Sequence, residues 1–294
     1  MKTLNSYLRE RFGCKVYKIA LSARVTCPNR DGTIGTRGCI FCSEGGSGDF
    51  ASSANLSIKE QIKDARERIE KKASNAKYIA YFQSFTNTYG DPFYLEKIWM
   101  EAIEDEDVLV LSIGTRPDCL GEDILNLLEK INRIKPVWVE LGLQTIHEKS
   151  ASYIRRGYSL NVYDEAVRKL RNRGIEVITH VILGLPGESR ADMHETVRYV
   201  IKSGVQGIKL QLLHVLKGTD LAIDYQKGLV PVMEMEEYVD LVTDLLKEIP
   251  DEVIVHRMTG DGPKNLLLAP LWSADKKRVL NALRASTAGK GIRL

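Results

Sequence analysis

The sequence predicts an α/β protein built as a partial (βα)6 TIM-like barrel with a short C-terminal α/β extension. Three observations predict it. Six short runs rich in β-formers recur along the chain, each followed by a loop and then an amphipathic helical pattern, which reads as successive βαβ units around a parallel sheet. Helix starts and stops are legible between them. The polar residues that interrupt the apolar strands fall at strand carboxyl ends, where such folds keep their chemistry. The chain has 294 residues, 44% hydrophobic and 28% charged, enough for one large α/β domain with an appendage.

The first strand is expected at residues 15–21 and feeds a cysteine-bearing loop over 27–50. Ser57 and Glu60 form a capping box ahead of a helical run reaching residue 73. Strands follow at 77–83, 108–113, 137–143, 175–183 and 207–213. Asn161 and Ser189 are the expected N-caps of the helices after the fourth and fifth strands, with Gly174 and Gly204 at their C′ positions. A long connection, 217–231, precedes a helix at 234–249, a last strand at 252–257, the loop TGDGPKNLLLAP and a basic helix near 274–285. Residues 1–230 therefore read as the barrel, and 231–294 as an extension with a basic tail packed on it.

Several function classes are disfavoured. Net charge is only +3, so any basic face must be local. No apolar run approaches the roughly 18 residues that span a bilayer, and MKTLNSYLRERFG has no apolar h-region of a signal peptide. Five cysteines, an odd number without disulfide-framework spacing, fit a cytoplasmic chain with metal-binding thiols and no membrane partner.

Cys27, Cys39 and Cys42 are spaced C-x11-C-x2-C in the loop after the first strand. Three thiolates are one too few to close a tetrahedral site. They suit an iron–sulfur cube that keeps one iron for another molecule. Pro28, Asn29, Asp31, Gly32, Gly35 and Gly38 are turn formers that let backbone N–H groups approach sulfide. The same cysteines with a histidine also fit a zinc site. Cys14 and Cys119 read as small buried hydrophobes.

Further motifs occur together. Gly45, Gly46, Asp49 and Phe50 continue the cysteine loop, and the strand ends carry YFQSFTNTYG, SIGTRPDCL, WVELGLQT, HVILGLPGES and KLQLLHVLKGTDL, with HRMTGDGP later. On these motifs the chain, from residue 21 to 257, resembles the radical SAM superfamily. Within it, the chain is similar to the YtqA/YhcC-like bacterial family, related to the radical SAM domain of the Elongator catalytic subunit. Two departures stand out: the spacing is not the commoner C-x3-C-x2-C, and Phe82-Gln83-Ser84 replaces the usual glycine–glycine–glutamate.

The resemblance implies a [4Fe–4S] cluster on Cys27, Cys39 and Cys42, with S-adenosylmethionine (SAM) on the open iron. It also implies reductive cleavage to a 5′-deoxyadenosyl radical and a reductant such as flavodoxin or ferredoxin. It places Gln83 at the methionine end of SAM, Gln144 near the ribose and Arg156 on the carboxylate. His180 falls on the adenosine side, Gly184 and Leu185 present backbone to adenine, and Phe41 and Leu183 are apolar walls. Asn87, Tyr89, Arg116, Asp118, Glu140 and Lys209 face the substrate, although Glu140 and Lys209 equally read as a mutual structural pair. Tyr81 and Phe82 read as core.

The same resemblance implies tRNA as partner, with the C5 substituent of the wobble uridine (U34) as target. The sequence given holds no acetyltransferase segment, so remodelling of an existing group such as carboxymethylaminomethyl is expected rather than its addition. Arg168, Lys169, Arg171 and Arg173, then Lys276, Lys277 and Arg278, then Lys290 and Arg293 are candidate RNA contacts or solvated helix faces. A radical SAM enzyme acting on a small metabolite or protein side chain, and a zinc-stabilised RNA-binding protein, are the competing readings.

Overall fold

The computed structural model describes residues 1–70, 73, 75–260 and 262–292. In chain order the elements are β1 (Lys2–Thr3), α1 (Leu4–Phe12), β2 (Val16–Leu21), α2 (Ile58–Glu70), β3 (Lys77–Phe82), α3 (Pro92–Ile103), β4 (Val108–Thr115) and α4 (Glu122–Asn132). Then come β5 (Val137–Gln144), α5 (Glu148–Tyr153), α6 (Leu160–Asn172), β6 (Glu176–Leu183), α7 (Arg190–Lys202), β7 (Gly207–Leu212), β8 (Val215–Leu216) and α8 (Asp220–Gln226). The chain closes with α9 (Met235–Glu248), β9 (Ile254–Arg257), β10 (Leu267–Ala269) and α10 (Lys276–Gly289).

One eight-stranded sheet runs in the order β1-β9-β7-β6-β5-β4-β3-β2, and all its pairings are parallel. The six expected βα strands are neighbours in sequence order, as right-handed βαβ crossovers require. β9 then adds to β7, and β1 adds to β9. The sheet is an open barrel with edges at β2 and β1. Helices cover its outer face, where Trp99, Leu125, Leu128, Tyr163 and Tyr238 pack on strand residues such as Leu111, Val139, Val177 and Leu210.

Several expected boundaries hold and others move. Ser57 and Glu60 exchange backbone bonds as a capping box, Ser189 caps α7, and Gly174 and Gly204 take positive φ. The N-cap of α6 is Ser159 rather than Asn161. Starting at Leu160 lets that leucine pack on the core. α2 is described to Glu70, and residues 71 and 72, within the expected run to residue 73, lie outside the described residues. The connection 217–231 contains α8, capped by Thr219, and β10 in the TGDGPKNLLLAP loop pairs antiparallel with β8. Among the described residues, no helix is long and apolar enough to cross a membrane.

The N-terminal segment has a structural role that its composition did not announce. Leu8 of α1 packs against Ile79, Val110, Trp138 and Ile178, with Leu4, Tyr7 and Phe12 around them. These four strand residues face the barrel lumen near the strand amino ends, so α1 plugs that end. The cysteine loop sits at the opposite, carboxyl end of the lumen.

The loop's root depends on one buried amide. Gln61 of α2 is fully buried; it accepts from the Ser22 N–H at 2.8 Å and donates to Ser22 O at 3.0 Å and Leu56 O at 3.1 Å. Ser22 follows β2 directly. A Gln61→Leu substitution strands these backbone groups, so a loss of about 3 kcal/mol is expected. Urea unfolding should show it as a lower midpoint with an unchanged m-value.

Candidate active site

Strand periodicity builds the site. Successive side chains on a strand point to opposite faces, and the register links one inward set. Lys18 lies beside Ile79, Tyr81 beside Ser112, Glu140 beside Ile178, His180 beside Lys209 and Lys209 beside Arg257. At this level the lumen receives Lys18 from β2, Tyr81 from β3, Ser112 from β4, Glu140 from β5, His180 from β6, Lys209 from β7 and Arg257 from β9. They form a belt above the α1 plug.

Glu140 is the belt's hub and its side chain is fully enclosed. One carboxylate oxygen accepts from Lys18 Nζ at 2.5 Å and Ser112 Oγ at 2.7 Å. The other accepts from Lys209 Nζ and from His180 Nε2 at 2.7 Å. Gln211 Nε2 reaches His180 Nδ1 at 3.3 Å, which fixes the neutral tautomer with its proton on Nε2. Burial opposes the charge on Glu140, yet the Lys18 and Lys209 ammonium groups hold its carboxyl well below the usual range. Burial and Lys209 push His180 down to about 4, so it is neutral at physiological pH. Burial also pushes Lys209 down to about 7, against the pull of Glu140 and helped by Lys18 and Arg257.

Above the belt the loop after β2 folds back over the strand ends. Arg30 fastens it, donating to Cys42 O at 3.0 Å and Ser43 O at 2.5 Å. Gly46 has φ +61, and a Cβ there would lie 2.4 Å from the Phe85 ring, so only glycine fits. Asn29 Nδ2 donates to Arg155 O at 2.7 Å and lies 3.5 Å from Cys39 Sγ. Burial, with Cys42 and Cys27 close by, pushes the Cys39 thiol up to about 12. Arg116 is paired with Asp118 at 2.7 Å, and its charge lies near Cys39 and Cys27.

A cavity of about 250 Å³ joins these parts. Of the expected residues, Cys27, Cys39, Cys42, Phe41, Gln83, Gln144, Arg156, His180, Arg116, Glu140 and Lys209 line it. Gln83 donates to Ser47 O at 2.7 Å. Gln144 has φ +71, a rare conformation for a non-glycine residue, and its buried Oε1 has no partner in the protein. Arg156 is 2% exposed; it donates to Thr145 O at 2.6 Å and Tyr158 O at 3.0 Å and lies over the Tyr158 ring.

Other expected residues fall outside the cavity lining. Leu183 points into the layer between sheet and helices, because strand alternation gives the lumen to Ile182 instead. Leu185 packs in an apolar cluster with Ile40, Phe41 and Leu213, and Gly184 donates to Met193 Sδ. Asn87 is fully buried and bridges Phe82 O and Gly114 O at the ends of β3 and β4. Tyr89 bonds Thr33 at 2.8 Å, and Asp118 holds Arg116. Tyr81, expected in the core, faces the lumen with Lys18 and Lys209 each 4.6 Å from its ring, whereas Phe82 is core. Lys18, Asn29, Ser112, Tyr158, Gln211 and Arg257 had no assigned site role. Inward strand parity would have found four of these six.

Carboxylates lie beside part of the Arg168–Arg173 cluster and beside Lys290. Arg168 lies 3.9 Å from Glu165, Lys169 3.8 Å and Arg173 2.7 Å from Glu122, and Lys290 2.8 Å from Asp240. Arg293 lies outside the described residues.

The donor set fits an iron–sulfur cluster better than one zinc ion. Zinc binds sulfur at about 2.3 Å, which holds tetrahedral sulfurs roughly 4 Å apart. Among the described residues, Cys27, Cys39 and Cys42 are not a group whose sulfurs all lie within 4.8 Å of one another. A wider cluster suits that spread.

Comparison with known proteins agrees. Residues 31–200 match the Radical SAM superfamily, and residues 205–288 match the Radical_SAM C-terminal domain. The chain belongs to the radical SAM superfamily. The chain is 47% identical to the protein YtqA of Bacillus subtilis (strain 168), over 98% of this chain and 90% of that one. It is 37% identical to the protein YhcC of Escherichia coli (strain K12), over 92% and 86%. A tRNA uridine(34) acetyltransferase of Methanocaldococcus jannaschii is 24% identical over 54% of this chain and 30% of its own length. The fold matches archaeal Methanocaldococcus infernus Elp3 with a TM-score of 0.73 at 20% identity, over 95% of this chain and 64% of that chain. Radical SAM enzymes bind a [4Fe–4S] cluster and SAM.

The belt generates a pH prediction. Lys209 sheds its proton near pH 7 in the folded chain but keeps it to about 10.5 when unfolded. The unfolded state therefore binds more protons between these values, and this group makes stability rise with pH across that window. The stability of the wild type relative to Lys209→Met should rise from pH 7 to 9.5, by on the order of 1 kcal/mol per pH unit at most. Paired urea titrations at several pH values check this, and a flat difference contradicts it.

Proposed function

We propose that this radical SAM enzyme remodels the C5 substituent of the wobble uridine, U34, in tRNA, with carboxymethylaminomethyluridine as the type of substrate. The observation that carries the reading is one cavity holding three loop thiols at its mouth and a polar, cation-bearing belt at its floor. That arrangement puts the thiols and the polar belt on one continuous cavity. The choice of U34 draws support from the tRNA uridine(34) acetyltransferase relative.

In this reading Cys27, Cys39 and Cys42 hold the cluster. With SAM bound, the cluster supplies one-electron cleavage of the sulfonium and so hydrogen-atom abstraction from the substrate. The chain's own residues do the rest. Asn29 directs an N–H toward Cys39 and ties the loop to Arg155. Gln144 offers its unpartnered carbonyl to a hydroxyl or amine, and Gln83 orients the end nearer Ser47. Arg156 fixes the strand end through Thr145 and Tyr158 and presents a guanidinium plane to a carboxylate. Phe41, Ile182 and Leu213 exclude water. Phe50, 53% exposed on the loop that lines the cavity, offers a face on which a splayed base stacks.

Two experiments test this. In anaerobic preparations, Cys→Ala at Cys27, Cys39 or Cys42 is expected to lose cluster iron and sulfide together with 5′-deoxyadenosine formation. The same change at Cys14 or Cys119 should keep all three. Nucleoside mass spectrometry of tRNA from cells with and without the gene is expected to differ only in the U34 substituent. Identical profiles would remove the tRNA assignment and favour a small-molecule or protein substrate.

A further inference from the structure

We propose that the floor of the cavity is an anion subsite, in which Lys209, backed by Lys18, takes a carboxylate or phosphate oxygen of the substrate. This rests on the reading of the cavity as the active site and adds the chemical class of group it accepts.

The charge arrangement carries the inference. Two ammonium groups, from Lys18 on β2 and Lys209 on β7, meet the single carboxylate of Glu140. A structural pair needs one lysine. The second leaves a cation in excess at a place where the Lys209 side chain is only 5% exposed. A buried charge without a full complement of opposite charge is costly. His180 does not supply the missing negative charge: it is neutral and donates to Glu140 itself. The Tyr81 ring, 4.6 Å from each ammonium, gives cation–π compensation while no anion is present. Arg257, opposite Lys209 in the register, adds positive potential rather than relieving it.

The donors also converge. Lys209, His180, Gln211 and Arg257 all line the cavity that begins at the cysteines. An ammonium has three N–H donors, and the bond to Glu140 uses one. Glu140, His180 and Gln211 form a chain that holds its members in fixed rotamers. An anion arriving at Lys209 completes the charge balance; burial, helped by Lys18 and Arg257, lowers the Lys209 pKa, and a bound anion raises it again. The sequestered position at the end of a cul-de-sac closed by α1 favours a small terminal group over a passing backbone.

The melting temperature of anaerobic holoenzyme tests the subsite without any assumption about tRNA. Sodium acetate and sodium phosphate are compared with sodium chloride at matched ionic strength, for wild type and Lys209→Met, with Lys209→Arg as the charge-conserving control. Acetate should raise the wild-type value and that of Lys209→Arg, and leave Lys209→Met unmoved. A response to phosphate alone assigns the subsite to a phosphate group instead of a carboxylate. Equal responses in wild type and Lys209→Met, or none in wild type, overturn the proposal. Retained cluster iron in Lys209→Met shows that the variant is folded; if it is lost, Lys18→Met replaces it.

A second arm uses anticodon stem-loops carrying carboxymethylaminomethyluridine or aminomethyluridine at position 34. Wild type should bind the acidic form about tenfold more tightly, a difference of about 1.4 kcal/mol, and Lys209→Met should erase the preference. Wild-type binding without preference, or a preference that survives in Lys209→Met, removes the carboxylate assignment. If acetate acts but no stem-loop binds, the tRNA reading fails while the subsite stands.

Discussion

The barrel is open, and Glu140 is what spans its lumen. Its carboxylate joins Lys18 on the edge strand β2 to Lys209 on β7, with His180 and Ser112 between them. Backbone hydrogen bonds fix neighbouring strands but not how far the sheet curls. A side-chain tie across the lumen does fix it. Removing one partner of such a buried ion cluster costs about 3–5 kcal/mol, because the remaining charges lose their compensation. The curl in turn sets where the strand carboxyl ends point, and so where the loop of Cys27, Cys39 and Cys42 lies over them. The α1 plug works with this tie, filling the amino end with Leu8 against Trp138.

Most of the sheet was legible because its signals are local. β-rich runs, a capping box at Ser57 and Glu60, and positive-φ glycines at 174 and 204 each act within a few residues. What was not legible depends on tertiary partners. α1 reads as a polar N-terminal segment until Trp138 is known to need a cover. β1 is two residues long and exists only because β9 offers an edge. Lys18 sits in a short strand whose alternation is too weak to choose its inward face alone. The assignment of Leu183 to the cavity failed by a single residue, since alternation places Ile182 there. Glu140 and Lys209 were found because charges in strands are conspicuous, and the two readings offered for them, structural pair and substrate side, are compatible.

The departure Phe82-Gln83-Ser84 also acquires a physical sense. Phe82 is fully buried between sheet and helices, so it cannot act at the site. Gln83 takes the inward position at the end of β3 and is held by Ser47 O from the cysteine loop. A glutamate there would carry a charge beside the carbonyl oxygen that Gln83 now bonds as a donor. The amide serves the loop and the cavity together, which a carboxylate would not.

The two ends of the cavity pose opposite electrostatic problems, and each explains nearby residues. At the mouth, burial and the neighbouring Cys42 and Cys27 thiols hold the Cys39 proton until about pH 12. They become ligands only when a metal centre displaces their protons, so assembly is coupled to proton release. The resulting negative charge needs cations near it, and Arg30, Arg116 and Arg156 all line that region. Asp118 holds Arg116 in place beside Cys27 and Cys39. At the floor the imbalance is reversed, with ammonium groups outnumbering the carboxylate. A molecule that brings a negative group to the floor end matches that distribution. A neutral apolar substrate matches neither end. The polarity of the cavity thus narrows the chemistry further than the fold does, because the same open barrel accepts many substrates and only its side chains choose among them.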